Sequence, residues 1–167
     1  MTAIAEIATL AHKEGVRVAL AGGNAMQLYG SDRLTADVDF VAANFIMELP
    51  RKGTLTFGGT KSKTSNNVPV DLIVRTDEYA DLYDEALDHA RPISGVPVPV
   101  ITLPYLGAMK LAAARGKDLQ DLRFILVETN VNYQELRSVV VKHLGETAAD
   151  DLDEYLRAAK WEREHEG

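Results

Sequence analysis

The sequence predicts an α+β chain: a mixed sheet flanked by helices over residues 1–101, then a helical region over 102–167. Short apolar runs bounded by glycine, proline and polar clusters ("VRVALAGG", "DVDFVA", "VPVDLIV") alternate with helical stretches in the first part. From Leu103 onward apolar residues recur every three or four positions instead. The composition, 46% hydrophobic and 26% charged over 167 residues, suffices to bury one domain's core with a small helical appendage.

In order along the chain, Ile4, Ile7, Ala8 and Ala11 give residues 2–14 one apolar face, and Gly15 ends that helix. Residues 16–21 read as a short buried strand running into Gly22 and Gly23. A short helix over 24–30 stops at Gly30, and the loop "SDRLTA" leads to a strand over 37–42. Segments 54–57 and 60–64 pair as a hairpin about Gly58-Gly59, and 68–74 is the next strand. Residues 77–90 have helical periodicity, and 91–104 hold two extended pieces broken by prolines. Four helices follow, over 103–115, 118–129, 132–144 and 147–164, with no internal repeat.

The absence of cysteine excludes a disulfide scaffold, thiolate metal sites and a cysteine nucleophile. The N-terminal residues include Glu6 and lack the apolar core of a secretory signal, and no run reaches membrane-spanning length. The expectation is a soluble, cytoplasmic protein. A net charge of −7 argues against a general nucleic-acid coat. The charge is uneven, however: residues 51–70 carry Arg51, Lys52, Lys61 and Lys63 and no acid.

Asp37 and Asp39 share one face of a strand, since alternate residues point the same way. Two such charges raise a pKa or call for a cation, and hard Mg²⁺ prefers carboxylate oxygen. A bare D-x-D equally fits a strand end facing water. Asp71 is a second signal, an acid inside the apolar strand "VPVDLIV". A buried acid is paired, hydrogen-bonded or metal-bound. If the two strands are neighbours, Asp37, Asp39 and Asp71 hold two cations about 4 Å apart, which activates an attacking oxygen and stabilises a leaving phosphate. The third signal is "ALAGGNAM", where a strand passes through Gly22 and Gly23 into a helix start. Such a turn offers N–H groups to phosphate, although most glycine pairs are simply tight turns. It lacks the Gly-Lys-Ser/Thr ending of a P-loop and is not a dinucleotide G-x-G-x-x-G.

Together, Ala21-Gly22-Gly23, thirteen intervening residues, Asp37-Val38-Asp39-Phe40 and Val70-Asp71-Leu72 resemble the nucleotidyltransferase superfamily with the polymerase β-like fold. The stretch "GGNAMQLYGSDRLTADVDF" is most similar to the small bacterial branch of abortive-infection toxin nucleotidyltransferases, matching at Tyr29, Gly30, Arg33 and Thr35. "YLGAMKLAAARGKDLQDLRFIL" resembles that branch's helical segment through Lys110, Arg115, Lys117, Asp118 and Asp121. Asn24 departs from the pattern, standing where several members carry a small hydroxyl residue.

The resemblance implies Mg²⁺-dependent transfer of a nucleoside monophosphate from an NTP to a hydroxyl of RNA, protein or a small molecule. Asp37, Asp39 and Asp71 would be catalytic and hold two Mg²⁺ ions, or Mn²⁺. Gly22, Gly23, Asn24, Arg33 and Lys110 would bind the nucleotide, ATP being one candidate. It also implies a place in a toxin–antitoxin system, with an antitoxin as partner. The alternative is a catalytically inactive nucleotide-binding regulator or antitoxin-like module; a purely structural subunit is a third reading.

Each secondary residue has a plainer reading too. Lys110 suits a snorkelling helix lysine. Asp118 fits the N-cap of the next helix and Asp121 its N3 position. Arg33 can pair with an acid. The basic hairpin can hold a nucleotide or RNA acceptor, or act as a charged edge that blocks strand-to-strand aggregation. The four histidines, His12, His89, His143 and His165, lack metal-ligand spacing.

Overall fold

The computed structural model describes residues 2–166. The chain divides into two compact units, Met1–Thr102 and Leu103–Gly167.

The first unit is built on a five-stranded sheet of order β1-β2-β5-β4-β3, with β1 Val18–Ala21, β2 Val38–Ala42, β3 Gly53–Thr54, β4 Gly59–Lys63 and β5 Pro69–Ile73. Only β2 and β5 run parallel; the other neighbours are antiparallel. A parallel pair needs a crossover between its strands, and here the β3–β4 hairpin supplies it. Three helices join the sheet: α1 Thr2–Glu14, α2 Gly22–Leu28 and α3 Ala80–Asp88.

Alternation sorts the sheet residues. Val38, Phe40, Val70, Leu72, Thr60 and Ser62 are all buried, while the intervening Asp39 and Asp71 are half-buried and Lys61 and Lys63 exposed. Ser62 Oγ spends its donor on the carbonyl of Pro50, which satisfies a buried hydroxyl.

The mixed sheet and the helical C-terminal part are those the sequence predicts; several boundaries differ, for local reasons. Asp37 lies in the bend before β2 rather than in the strand. The hairpin pairs 53–54 with 60–61, and Gly59 belongs to β4. A Cβ at Gly59 would stand 2.1 Å from the Leu72 carbonyl oxygen, so only glycine lets β4 approach β5 there. The extended pieces in 91–104 amount to isolated bridges at Val100 with Leu20 and Arg91. Pro97 and Pro99 have no N–H to give a ladder, and this segment is tied to β1 through the Pro99 carbonyl and the Ile101 N–H.

The second unit is helical: α4 Leu103–Ala113, α5 Gly116–Glu128, α6 Tyr133–Leu144 and α7 Glu146–His165. Residues 103–109 of α4 are all buried, as befits a helix apolar on every side. At Gly107 an added Cβ would lie 2.8 Å from Leu136 Cδ1, so the missing side chain is what lets α6 pack close. The Asn132 side chain caps α6 by accepting from the Glu135 N–H at 3.1 Å. α5 is joined to α7 by Arg123, which pairs with Glu162 at 3.0 Å and Glu166 at 2.6 Å.

Candidate active site

Pairing across the sheet brings the aspartates together. Asp39 of β2 and Asp71 of β5 are direct register partners on parallel strands, so both carboxylates leave the same face. The same row continues to Ala21 on β1 and to Lys61 on β4, which is opposite Asp71 and next to Gly53 of β3. Adjacent strands are about 4.8 Å apart, which sets the scale of the row.

Gly22 explains how Asp39 is seated. Its φ is +60°, and a Cβ there would lie 2.0 Å from Asp39 Oδ2 and 2.7 Å from Asp39 Cγ. The Asp39 carboxylate therefore rests against the Cα of Gly22, in space that only glycine leaves open. Gly23 does the same for Thr35, whose Cβ would be 2.8 Å from an added methyl. The glycine pair is thus required by the approach of two side chains.

The loop between α2 and β2 is pinned from both ends. Asn24 Nδ2 and Thr35 Oγ1 both donate to the Asp37 carbonyl, at 3.4 and 3.2 Å. Gln27 Nε2 donates to the Arg33 carbonyl at 3.0 Å, and the Arg33 N–H donates to Ser31 Oγ at 3.2 Å. Tyr29, whose hydroxyl donates to the Ile101 carbonyl at 2.9 Å, has its pKa raised by burial and keeps that proton. Thr35 and Gln27 are thus parts of the site's frame that the aspartate pattern does not single out.

The donor chemistry of Asp39 and Asp71 fits a hard divalent cation that completes its shell with water and substrate oxygens. A cage of three converging carboxylates is not assembled: among the described residues, no group of three or more His, Asp or Glu side chains is arranged to hold a metal ion. Asp37, exposed in its bend, is two residues from Asp39.

Lys110 belongs to the second unit, where its Nζ is 2.8 Å from Asp121 Oδ2 and 3.5 Å from Asp118 Oδ1. Both aspartates are buried, at 2% and 1% exposure, and their low exposure makes a built-in cation necessary. Asp118 is the N3 residue of α5, not its N-cap: the helix starts at Gly116, with Arg115 at the cap. Asp118 accepts from the Arg115 N–H at 3.2 Å and from its Nε at 2.7 Å. Asp121 accordingly lies one turn inside the helix and serves Lys110 instead of the helix start.

Lys61 enters the carboxylate row through pairing rather than through any motif. The signal in the sequence is the alternation "GTKSK", small hydroxyl residues inward and lysines outward, read together with the register to Asp71.

No protein-family model and no curated protein sequence matches the chain. Among solved structures it is similar to an antigenic nucleotidyltransferase-like protein from Paracoccidioides brasiliensis, at 19% identity over 94% of this chain and 91% of that one, with a TM-score of 0.47. It is also similar to the antibiotic-resistance factor ANT(2'')-Ia, whose structure was determined in solution. There the identity is 16%, the cover 98% of this chain and 94% of the other, and the TM-score 0.52. ANT(2'')-Ia is a nucleotidyltransferase, and the chain shares its fold.

Proposed function

We propose that the protein is a nucleotidyltransferase, moving a nucleoside monophosphate from an NTP to a hydroxyl acceptor. The observation that carries this reading is the in-register pair Asp39–Asp71, seated against Gly22, on a sheet of nucleotidyltransferase type. In this reading the acceptor hydroxyl oxygen attacks the α-phosphorus, the bond from that phosphorus to pyrophosphate breaks, and an Asp71 carboxylate oxygen takes the hydroxyl proton. Asp39 and Asp71 would hold Mg²⁺ or Mn²⁺, with Asp37, two residues from Asp39, the further candidate ligand; the ion when bound lowers the pKa of an acceptor hydroxyl and offsets phosphate charge. The backbone from Gly22 to Asn24, next to Asp39, is on the leaving-group side, and Arg33 is the further nucleotide-binding candidate; Lys110 is already engaged by Asp121 and Asp118. The likeness of "GGNAMQLYGSDRLTADVDF" to the toxin branch supports a toxin role with an antitoxin partner.

The test is transfer of label from each of the four NTPs, with Mg²⁺ and cell extract as acceptor source, by the wild type and by Asp39→Ala and Asp71→Asn. The wild type should label an acceptor, and either variant should lose on the order of a thousandfold. Nucleotide binding without transfer, in the wild type, would leave the regulator reading in its place. A protein that binds neither Mg²⁺ nor nucleotide would be neither.

A further inference from the structure

Lys61 occupies the row of Asp39 and Asp71 yet has no use for either. It stands directly opposite Asp71 in the antiparallel β4–β5 pair, where side chains of opposite charge meet readily. Even so, no ion pair forms: among the described residues nothing lies within salt-bridge reach of its ammonium. Its stem leans the other way, onto the outer strand, where a Cβ at Gly53 would meet Lys61 Cβ and Cδ at 3.8 Å each. A side chain at Gly53 would only touch the stem at ordinary van der Waals distance, so the stem runs beside β3 without needing a glycine there. Lys63, two residues on, emerges from the same face and is likewise exposed and unpaired among the described residues. Nearby, Arg51 lies over the ring of Phe45 at 4.6 Å.

Three physical arguments point the same way. An exposed lysine pairing with a neighbouring acid gains little, so packing energy does not explain why a cation sits in this row. A nucleotidyl-transfer site must hold substrates that are themselves polyanions beside two carboxylates, and a cation on the same face offsets that repulsion. A lysine is a point charge on a flexible stem, suited to phosphate.

We propose that Lys61, opposite Asp71 and supported by Lys63 on the same face, holds a substrate phosphate group alongside the Asp39–Asp71 pair. This rests on the nucleotidyltransferase reading for the identity of the substrate. The phosphate can come from the nucleotide or from the backbone of a nucleic-acid acceptor, and binding measurements separate the two.

The experiment titrates the full chain with MgATP, with sodium tripolyphosphate and with a short single-stranded RNA lacking a terminal phosphate, over a series of salt concentrations. It compares the wild type with Lys61→Ala, Lys61→Arg, Lys63→Ala and, as a control on the second unit, Lys160→Ala. Thermal unfolding of each variant checks that the fold is intact. Lys61→Ala should weaken binding roughly tenfold and reduce the salt slope by about one for the ligand concerned. Lys61→Arg should restore most of the affinity, Lys63→Ala should have a smaller effect and Lys160→Ala none.

Weakening of MgATP and tripolyphosphate binding assigns Lys61 to the nucleotide; weakening of RNA binding alone assigns it to the acceptor. If the folded Lys61→Ala protein binds all three ligands as the wild type does, or the wild type binds none, the inference is overturned. Failure of the function reading looks different: label transfer is absent while Lys61-dependent phosphate binding persists. Transfer that needs Asp39 but is indifferent to Lys61 removes the inference and keeps the function.

Discussion

Both units carry aspartates in apolar elements, and the chain buries the two sets to different depths. In α4 and α5 it buries Asp118 and Asp121 almost completely and supplies their cations itself, from Lys110 and Arg115. In the sheet it leaves Asp39 and Asp71 half-buried on one face, side by side, with a glycine cleared beneath one of them and an exposed lysine next in the row. Burial with a built-in counter-ion closes a site, because a solvated ligand has nothing left to neutralise. Half-burial keeps the charges where a substrate can reach them. The same residue type is almost fully enclosed in one place and half-exposed in the other.

The sharpest way to break this contrast is to open the closed cluster. Asp121→Ala removes the closer partner of Lys110 and leaves a nearly buried ammonium with one distant carboxylate, 3.5 Å away. Loss of one partner from a buried ion pair costs about 3–5 kcal/mol. Chemical denaturation followed by far-UV circular dichroism should show that loss, and Lys110→Met combined with Asp121→Leu should recover much of it, since matched apolar replacement removes both charges together. If Asp121→Ala instead unfolds like the wild type but loses nucleotide affinity, Lys110 serves the ligand and the contrast collapses.

The next effect tests the open site through its glycine. Gly22→Ala imposes a left-handed conformation on an alanine, at about 1 kcal/mol, and drives a methyl into the Asp39 carboxylate. Together these should cost about 2–3 kcal/mol of stability and displace Asp39, so that transfer falls nearly as far as in Asp39→Ala. A double-mutant cycle decides whether the contact is responsible. Gly22→Ala added to Asp39→Ala should cost less than it does in the wild type, by about 1 kcal/mol or more, because the clashing group is already gone. Strict additivity would mean that backbone strain alone is felt.

How far the sequence reveals all this depends on which force sets each feature. The mixed sheet and the four C-terminal helices follow from hydrophobic period, a force expressed locally, and they are legible to within a few residues. The aspartates are legible as a pattern because charges are uncommon in apolar strand segments such as those around Asp37, Asp39 and Asp71. The roles of Gly22 and Gly23 are not, because the atoms that need their space, on Asp39 and Thr35, arrive from across a loop. Lys61 is hidden for the same reason: its place beside Asp71 exists only once β4 and β5 are registered. The start of α5 is misjudged because Asp118 is a good cap by type, whereas Arg115 takes the cap and Asp118 answers it from inside the first turn. Long-range pairing, not propensity, decides these cases.

The smallest expected effect concerns another half-buried aspartate, this one with its partners in the helical unit. Asp153 on α7 accepts hydrogen bonds from the Tyr133 hydroxyl and from Arg137 Nε on α6, the latter at 3.2 Å. The Tyr133 hydrogen bond, then that from Arg137, holds its carboxyl below the usual carboxylate range. A depressed folded pKa means that the contribution to stability is complete above the unfolded value, about 3.9, and is lost as pH falls through the lower folded value. Asp153→Asn should therefore lower the unfolding midpoint slightly at neutral pH, and the gap from the wild type should narrow only below about pH 4. Salt should shrink it as well, because the pair is open to solvent. The buried Lys110 cluster should resist that salt. Equal salt sensitivity at Asp153 and Asp121 would show that burial does not divide the closed charges of this chain from its accessible ones.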